Sequence, residues 1–142
     1  MRERAQLDAA EHERGLITSF FFPARQERYL ALLGKPKRRG DITREFAHFK
    51  HLDPRRIVSI SPSAQHFENI YELLRRKGAP EVCYGFSEWD EIDGKTLPLR
   101  DALKMVVGSG MGTFLSCLPG RLGYFEGEVM KTRYILELAK GK

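Results

Sequence analysis

Residues 108–128, GSGMGTFLSCLPGRLGYFEGE, contain the strongest strand signal in the chain. Residues 113–118 and 121–126 are rich in aromatic and apolar side chains, and Pro119-Gly120 lies between them. Proline followed by glycine fits the central positions of a tight turn, so the pattern predicts two antiparallel strands joined as a hairpin. We expect this hairpin to occupy the centre of the sheet.

The turn also predicts the register of the hairpin. If Leu118 pairs with Arg121, alternation of side chains along each strand defines two faces. One face resembles a protein core and carries Leu115, Cys117, Leu122 and Tyr124. A turn that is one or two residues longer would suit a hairpin better, because two-residue hairpins prefer the primed turn types.

The opposite face of the hairpin is also apolar, so it must be covered. It carries Phe114, Ser116, Gly123 and Phe125, with small residues at Ser116 and Gly123 between the two rings. Three occupants are open: a helix that packs into the gap, a small molecule, or a second copy of the chain in a homodimer. A small-molecule site, in a binding protein or a small enzyme, would have phenylalanine walls, Arg121 to hold an anionic group, and Glu126 as a polar partner.

The whole chain, residues 1–142, is predicted to form a single α+β domain. We expect a mostly antiparallel sheet of four or five strands with three or four helices. A helix with a frayed end is expected over residues 1–15, a basic helical segment over 24–56, and the sheet-forming part over 81–138. The apolar run 16–22 fits either a strand or a helix, because periodicity does not separate the two.

Two further helices are predicted from local signals. Asp41 is expected to cap a helix that stops before Pro54, since the residue preceding proline is disfavoured in a helix. The clearest amphipathic stripe in the chain follows at spacings of three, four and seven residues. Its members are Phe67, Ile70, Tyr71 and Leu74.

The excess positive charge is concentrated in one part of the chain. Residues 24–56, which we call the basic segment, hold ten Lys and Arg residues against four acids, a net charge of +6, whereas the whole chain carries +5. Such a surface attracts an acidic protein or a nucleic acid, although it also serves solubility alone. The residues expected to bind a partner are Lys35, Lys37, Arg38, Arg39, Arg55 and Arg56.

Sequence motifs for catalysis, metals and cofactors are weak. The glycines at 108, 110 and 112 follow a predicted helix and precede a strand, the reverse of the order in a phosphate-binding loop. His48 and His51 lack neighbouring ligands, and the acidic stretch 88–93 does not fit a calcium loop. We therefore expect no metal and no cofactor, and the sequence leaves open whether the protein is an enzyme.

The chain also lacks signals for membranes and secretion. No apolar run approaches the ~20 residues of a membrane span, and the charged start lacks an apolar core of the kind found in signal peptides. Cys83 and Cys117 both lie in predicted strands and are expected to be buried thiols, with a disulfide possible only if those strands are neighbours. We expect a soluble, cytoplasmic protein.

Overall fold

The structure is a computed structural model that describes residues 2–138, with side chains from residue 8 onward. Its helices are α1 (Arg2–Phe20), α2 (Pro23–Leu33), α3 (Arg39–Thr43), α4 (Phe67–Arg76) and α5 (Leu99–Val106). Its strands are β1 (Ile57–Ser59), β2 (Val82–Ser87), β3 (Thr96–Pro98), β4 (Thr113–Leu118), β5 (Leu122–Glu126) and β6 (Arg133–Glu137). The α+β class is confirmed, but five α-helices and six strands within residues 2–138 exceed the expected numbers of both.

The six strands form one open sheet in the order β1-β6-β5-β4-β2-β3, and all neighbouring pairs are antiparallel. The β4–β5 hairpin lies at the centre, as predicted. The strand that the sequence did not reveal is β3, which pairs with β2 at one edge. It has only three residues and ends in Pro98, so it lacks the alternating pattern by which longer strands are recognised.

The register of the hairpin is confirmed over most of its length. Thr113 pairs with Glu126, and the next three pairs also match the prediction, including Ser116 with Gly123. The register then shifts at Cys117, so that Leu118 pairs with Leu122 instead of Arg121. Gly120 adopts a positive φ of 68°, and a three-residue loop with such a residue commonly produces a bulge of this kind.

Helices cover both faces of the sheet, which gives three layers. The predicted core face packs against α4 and α5, and the stripe on α4 points into this core. The opposite face packs against α1, α2 and α3 around Phe114 and Phe125. The apolar face that suggested a homodimer is therefore covered by the chain's own helices.

The run 16–22 belongs mainly to a helix. Leu16, Ile17 and Phe20 lie on the buried side of α1 and are fully buried. The helix ends there, Phe21 makes an isolated bridge with Leu52, and Pro23 begins α2. Met1, where the first helix was predicted to start, lies outside the described residues.

The helix predicted from Asp41 to Pro54 is much shorter than expected. Helix α3 ends at Thr43, and residues 46–48 form a 3₁₀ turn. Asp41 does not cap the helix; its carboxylate instead pairs with Arg38 and Arg44. Tertiary packing determines the conformation after α3, because the ring of Phe46 is fully buried against Phe86 and Phe114.

None of the helices within residues 2–138 is both long and apolar enough to cross a membrane.

Candidate functional site

The basic segment folds into α2, α3 and short 3₁₀ turns on the side of the sheet covered by α1. Five of its ten cations pair with carboxylates of the same chain, which removes half of its free positive charge. These pairs are Arg28–Glu45, Arg38–Asp41, Arg44–Asp41, Arg55–Asp53, and Arg39 with both Glu13 and Asp93.

The six cations expected to bind a partner therefore differ in their availability. Arg38 and Arg55 pair with nearby acids, although both side chains remain more than half exposed. Lys35 and Lys37 are exposed, and neither forms an ion pair with the described residues. The Arg56 side chain makes a long hydrogen bond of 3.4 Å to the Ser19 carbonyl and forms no ion pair with residues 8–138.

Arg39 is part of the fold rather than of a free surface. Its guanidinium donates two hydrogen bonds to Glu13 at 3.0 and 2.6 Å and two to Asp93 at 2.8 and 2.9 Å. Burial opposes the charge, but the hydrogen bonds that Arg39 donates to both carboxylates raise its pKa above the ordinary value. The group joins α1, α3 and the loop between β2 and β3, so it is not available to an external anion.

Two further cations of the segment, Arg44 and Lys50, line a shallow groove of about 270 Å³, which we call the His51 groove. Its lining residues are Arg44, Glu45, His48, Phe49, Lys50 and His51. Arg44 has 76% of its side chain exposed despite its contact with Asp41, and Lys50 is also exposed. The carboxylate in the lining, that of Glu45, already binds the Tyr29 hydroxyl and Arg28.

The protonation of His51 reflects these surroundings. Partial burial lowers its pKa and the positive charge of Arg25 lowers it further, whereas the Glu45 carboxylate raises it, and Arg28 and Lys50 have smaller lowering effects. Three cations therefore lie near enough to act on the His51 ring electrostatically. His48 is differently placed, with Nε2 at 3.0 Å from Glu128.

The His51 groove borders a cluster of aromatic rings. His51 contacts Tyr29 and Phe49, with ring centroids 6.2 and 5.7 Å away. Phe22 joins this region through its backbone, because its N–H donates to the His51 carbonyl at 2.7 Å. Phe22 is 46% exposed, so it presents an aromatic side chain to solvent. Phe22, Arg44, Lys50 and His51 were not predictable from sequence as a group, since the turn after α3 and a backbone hydrogen bond bring them together.

The candidate residues of the hairpin are mostly buried under α1. Phe114 and Phe125 contact each other at 4.7 Å between centroids within the core. Ser116 is buried beside Gly123, and its hydroxyl lies 2.6 Å from Nδ1 of His12 on α1. The structure therefore shows a helix over the Ser116–Gly123 gap.

The two charged candidates of the hairpin do not join this group. Arg121 is exposed at the turn. Glu126 lies on the opposite face of the sheet, where it accepts a hydrogen bond from the Tyr124 hydroxyl at 2.5 Å. Alternation along β5 causes this separation, since Glu126 and Tyr124 are two residues apart and share a face.

Glu126 also explains the glycine-rich loop. Its carboxylate accepts hydrogen bonds from the backbone N–H groups of Gly108 and Gly110 at 2.9 and 3.0 Å, and it pairs with buried Arg133 at 3.3 Å. The loop thus binds an anion that belongs to the chain. Two N–H groups that a phosphate would need are already occupied.

The acidic loop before β3 is only partly solvated. Asp90 and Glu91 are exposed, but Glu88 accepts a hydrogen bond from the Gly112 N–H at 2.7 Å, and Asp93 holds Arg39. In the part of the chain that the structure describes, no group of three or more His, Cys, Asp or Glu side chains is arranged to hold a metal ion.

No protein-family model matches the chain, and comparison with curated proteins and with solved structures finds no match either.

Proposed function

We propose that the protein is a binding module whose basic segment contacts an anionic partner, an acidic protein or a nucleic acid. The observation that carries this proposal is the His51 groove, where Arg44 and Lys50 line a concave surface and Arg25 lies nearby. Arg44 contacts Asp41 but keeps 76% of its side chain exposed, and the Glu45 carboxylate in the lining is held by Tyr29 and Arg28. An incoming anion would therefore meet exposed positive charge.

Lys35, Lys37 and Arg56 are further candidate cations outside the groove. Each belongs to the basic segment and is without a carboxylate partner among residues 8–138. Arg38 and Arg55 stay candidates because their pairs are exposed, and exposed ion pairs contribute only about 0–1 kcal/mol. Arg39 does not contribute, since two carboxylates enclose it.

The proposal predicts salt-dependent binding. We expect a fluorescein-labelled polyanion to bind in anisotropy titrations at low salt and to weaken as salt rises, because each phosphate contact of a single strand contributes a slope of about −0.7 in log K against log salt. Changing Arg44 and Lys50 together to glutamine should reduce that slope by about 1.4, since two contacts are lost.

The matched control removes the same charge from the other side of the sheet. Arg76 on α4 and Lys104 on α5 are both exposed, so the double change Arg76→Gln, Lys104→Gln should leave affinity within about twofold. If both double variants lost the same affinity, net charge rather than the His51 groove would account for binding. No binding by wild-type protein to single strands, duplex or polyglutamate at low salt would remove the proposal.

A further inference from the structure

Among the anions that a basic groove could bind, the region beside the His51 groove favours one class. We propose that the partner is single-stranded nucleic acid, with phosphates on Arg25, Arg44 and Lys50 and a base stacked on Phe22. This inference rests on the proposed function and specifies its ligand. A base needs an aromatic face next to the cations that hold the backbone, and this combination is typical of proteins that bind single strands.

Phe22 is placed to act as such a face. Its ring is 46% exposed, while its backbone is fixed by two hydrogen bonds, from its own N–H to His51 and from the Arg25 N–H to its carbonyl at 2.9 Å. The backbone is therefore ordered before a ligand arrives. Since the backbone that carries the ring does not have to be ordered on binding, less conformational entropy is lost, which favours binding.

Two of these cations are linked to Phe22 by the chain itself or by its backbone hydrogen bonds. Arg25 is three residues after Phe22, in the first turn of α2, and Lys50 immediately precedes the residue to which Phe22 donates its hydrogen bond. Arg44 lines the same groove as Lys50. A flexible phosphate backbone that follows the groove would pass Arg44 and Lys50 and bring a neighbouring base to Phe22.

Other anionic partners would contact the cations but not the exposed ring. An acidic peptide would satisfy the cations but has no planar base for the exposed ring. A duplex hides its base faces inside the stack and is read by an element that enters a groove ~12 Å wide, whereas the surface here is concave. At about 270 Å³ the groove is also slightly smaller than the ~300–1,000 Å³ typical of small-molecule pockets.

The test compares four labelled probes of equal length at 50 mM salt: single-stranded DNA, single-stranded RNA, a DNA duplex, and polyglutamate. Phe22→Leu keeps an apolar side chain but removes the aromatic face. We expect it to weaken binding of single strands by about five- to a hundredfold, the range for loss of one stacked base, and to leave polyglutamate unchanged. Lys50→Gln should weaken single strands and polyglutamate alike, and Lys104→Gln neither.

A second variant keeps the inference testable if Phe22→Leu folds poorly. Phe22→Trp retains a stacking face, should bind single strands at least as tightly as wild type, and should show a change in tryptophan fluorescence on adding unlabelled strand that wild type, with Trp89 alone, does not show.

The outcomes separate this inference from the proposed function. Stacking on Phe22 is contradicted if Phe22→Leu binds single strands within twofold of wild type while Lys50→Gln binds more weakly. It is also contradicted if the duplex binds more tightly than single strands. In both cases the proposed binding of anions by the basic segment is retained. An unchanged Phe22→Trp spectrum would also overturn stacking. Failure of all four probes to bind wild type would end both proposals.

Discussion

Gly112 shows how closely single residues are constrained in this fold. A Cβ atom at this position would overlap the backbone nitrogen of Ala47 and lie 2.6 Å from Cβ of Phe46. The loop after α5 therefore packs directly on the 3₁₀ turn that precedes the His51 groove. Gly40 in α3 differs, since no atom lies within 4 Å of a Cβ added there.

We expect these two glycines to respond in opposite ways to alanine. Gly112→Ala should destabilise the protein by about 1–3 kcal/mol, the usual cost of overpacking, because backbone atoms must move. Gly40→Ala should stabilise it by about 0.4–1 kcal/mol through a smaller unfolded-state entropy. Urea denaturation followed by circular dichroism measures both, and a stable Gly112→Ala would show that the contact is looser than described.

At the level of elements, helix α1 is attached to the sheet by polar contacts as well as by its apolar side. His12 stacks on Tyr84 with 5.4 Å between ring centroids and hydrogen-bonds Ser116, while Glu13 binds the Tyr84 hydroxyl and Arg39. Burial lowers the pKa of His12, although Asp8, Glu11 and Glu13 act in the opposite direction. The folded protein therefore favours the neutral imidazole.

This attachment predicts a loss of stability in mild acid. Because the pKa of His12 is lower in the folded chain than the ordinary value of 6.5, the unfolded chain takes up a proton first as pH falls through about 6.5. The free energy of unfolding should decrease from pH 7 to 5, and His12→Asn should reduce that dependence.

His51 provides the comparison for this measurement. Its pKa is also lowered, but it lies on the basic segment and away from Ser116. Both histidines should contribute to the pH dependence of the free energy of unfolding, so replacing both His12 and His51 should weaken that dependence more than replacing either one. A pH dependence that is the same in wild type and in His12→Asn would contradict the role given to burial.

Prediction from sequence succeeded for elements whose pattern is local. The β4–β5 hairpin, its two faces and the α4 stripe were predictable because alternation and helical spacing are visible within ten residues. The end of α1 and the length of α3 were not, because both depend on rings from distant strands that pack against them. The same limit applies to the site: total charge located the basic segment, but intrachain acids decide which cations remain free.

On the scale of the whole molecule, three layers place the sheet centre far from solvent. Cys83 and Cys117 lie on neighbouring strands, and both are free, buried thiols. Burial raises the pKa of Cys83 to about 12 and also raises the pKa of Cys117. Neither thiol is suited to act as a nucleophile in the folded protein.

Thiol labelling should therefore report global unfolding. At pH 8 we expect both native cysteines to react with a disulfide reagent far more slowly than a free thiol, because both are buried, and a pKa near 12 leaves Cys83 roughly a thousandfold less thiolate than a pKa near 8.5. In denaturant both cysteines should react as fast as a free thiol. The control is Ser63→Cys, an exposed position in a 3₁₀ turn, which should label immediately in the native state. Fast labelling of native wild type would mean that the layers separate readily.

The two outermost strands, β1 and β3, are each only three residues long, and β3 ends in a proline. An extended chain that approached either border would find few backbone groups to bond with, and proline offers no N–H at all. Recruitment of further strands into an endless ribbon is thus unfavourable at both borders. The molecule has little means of growing into fibrils while it stays folded, even when it is highly concentrated.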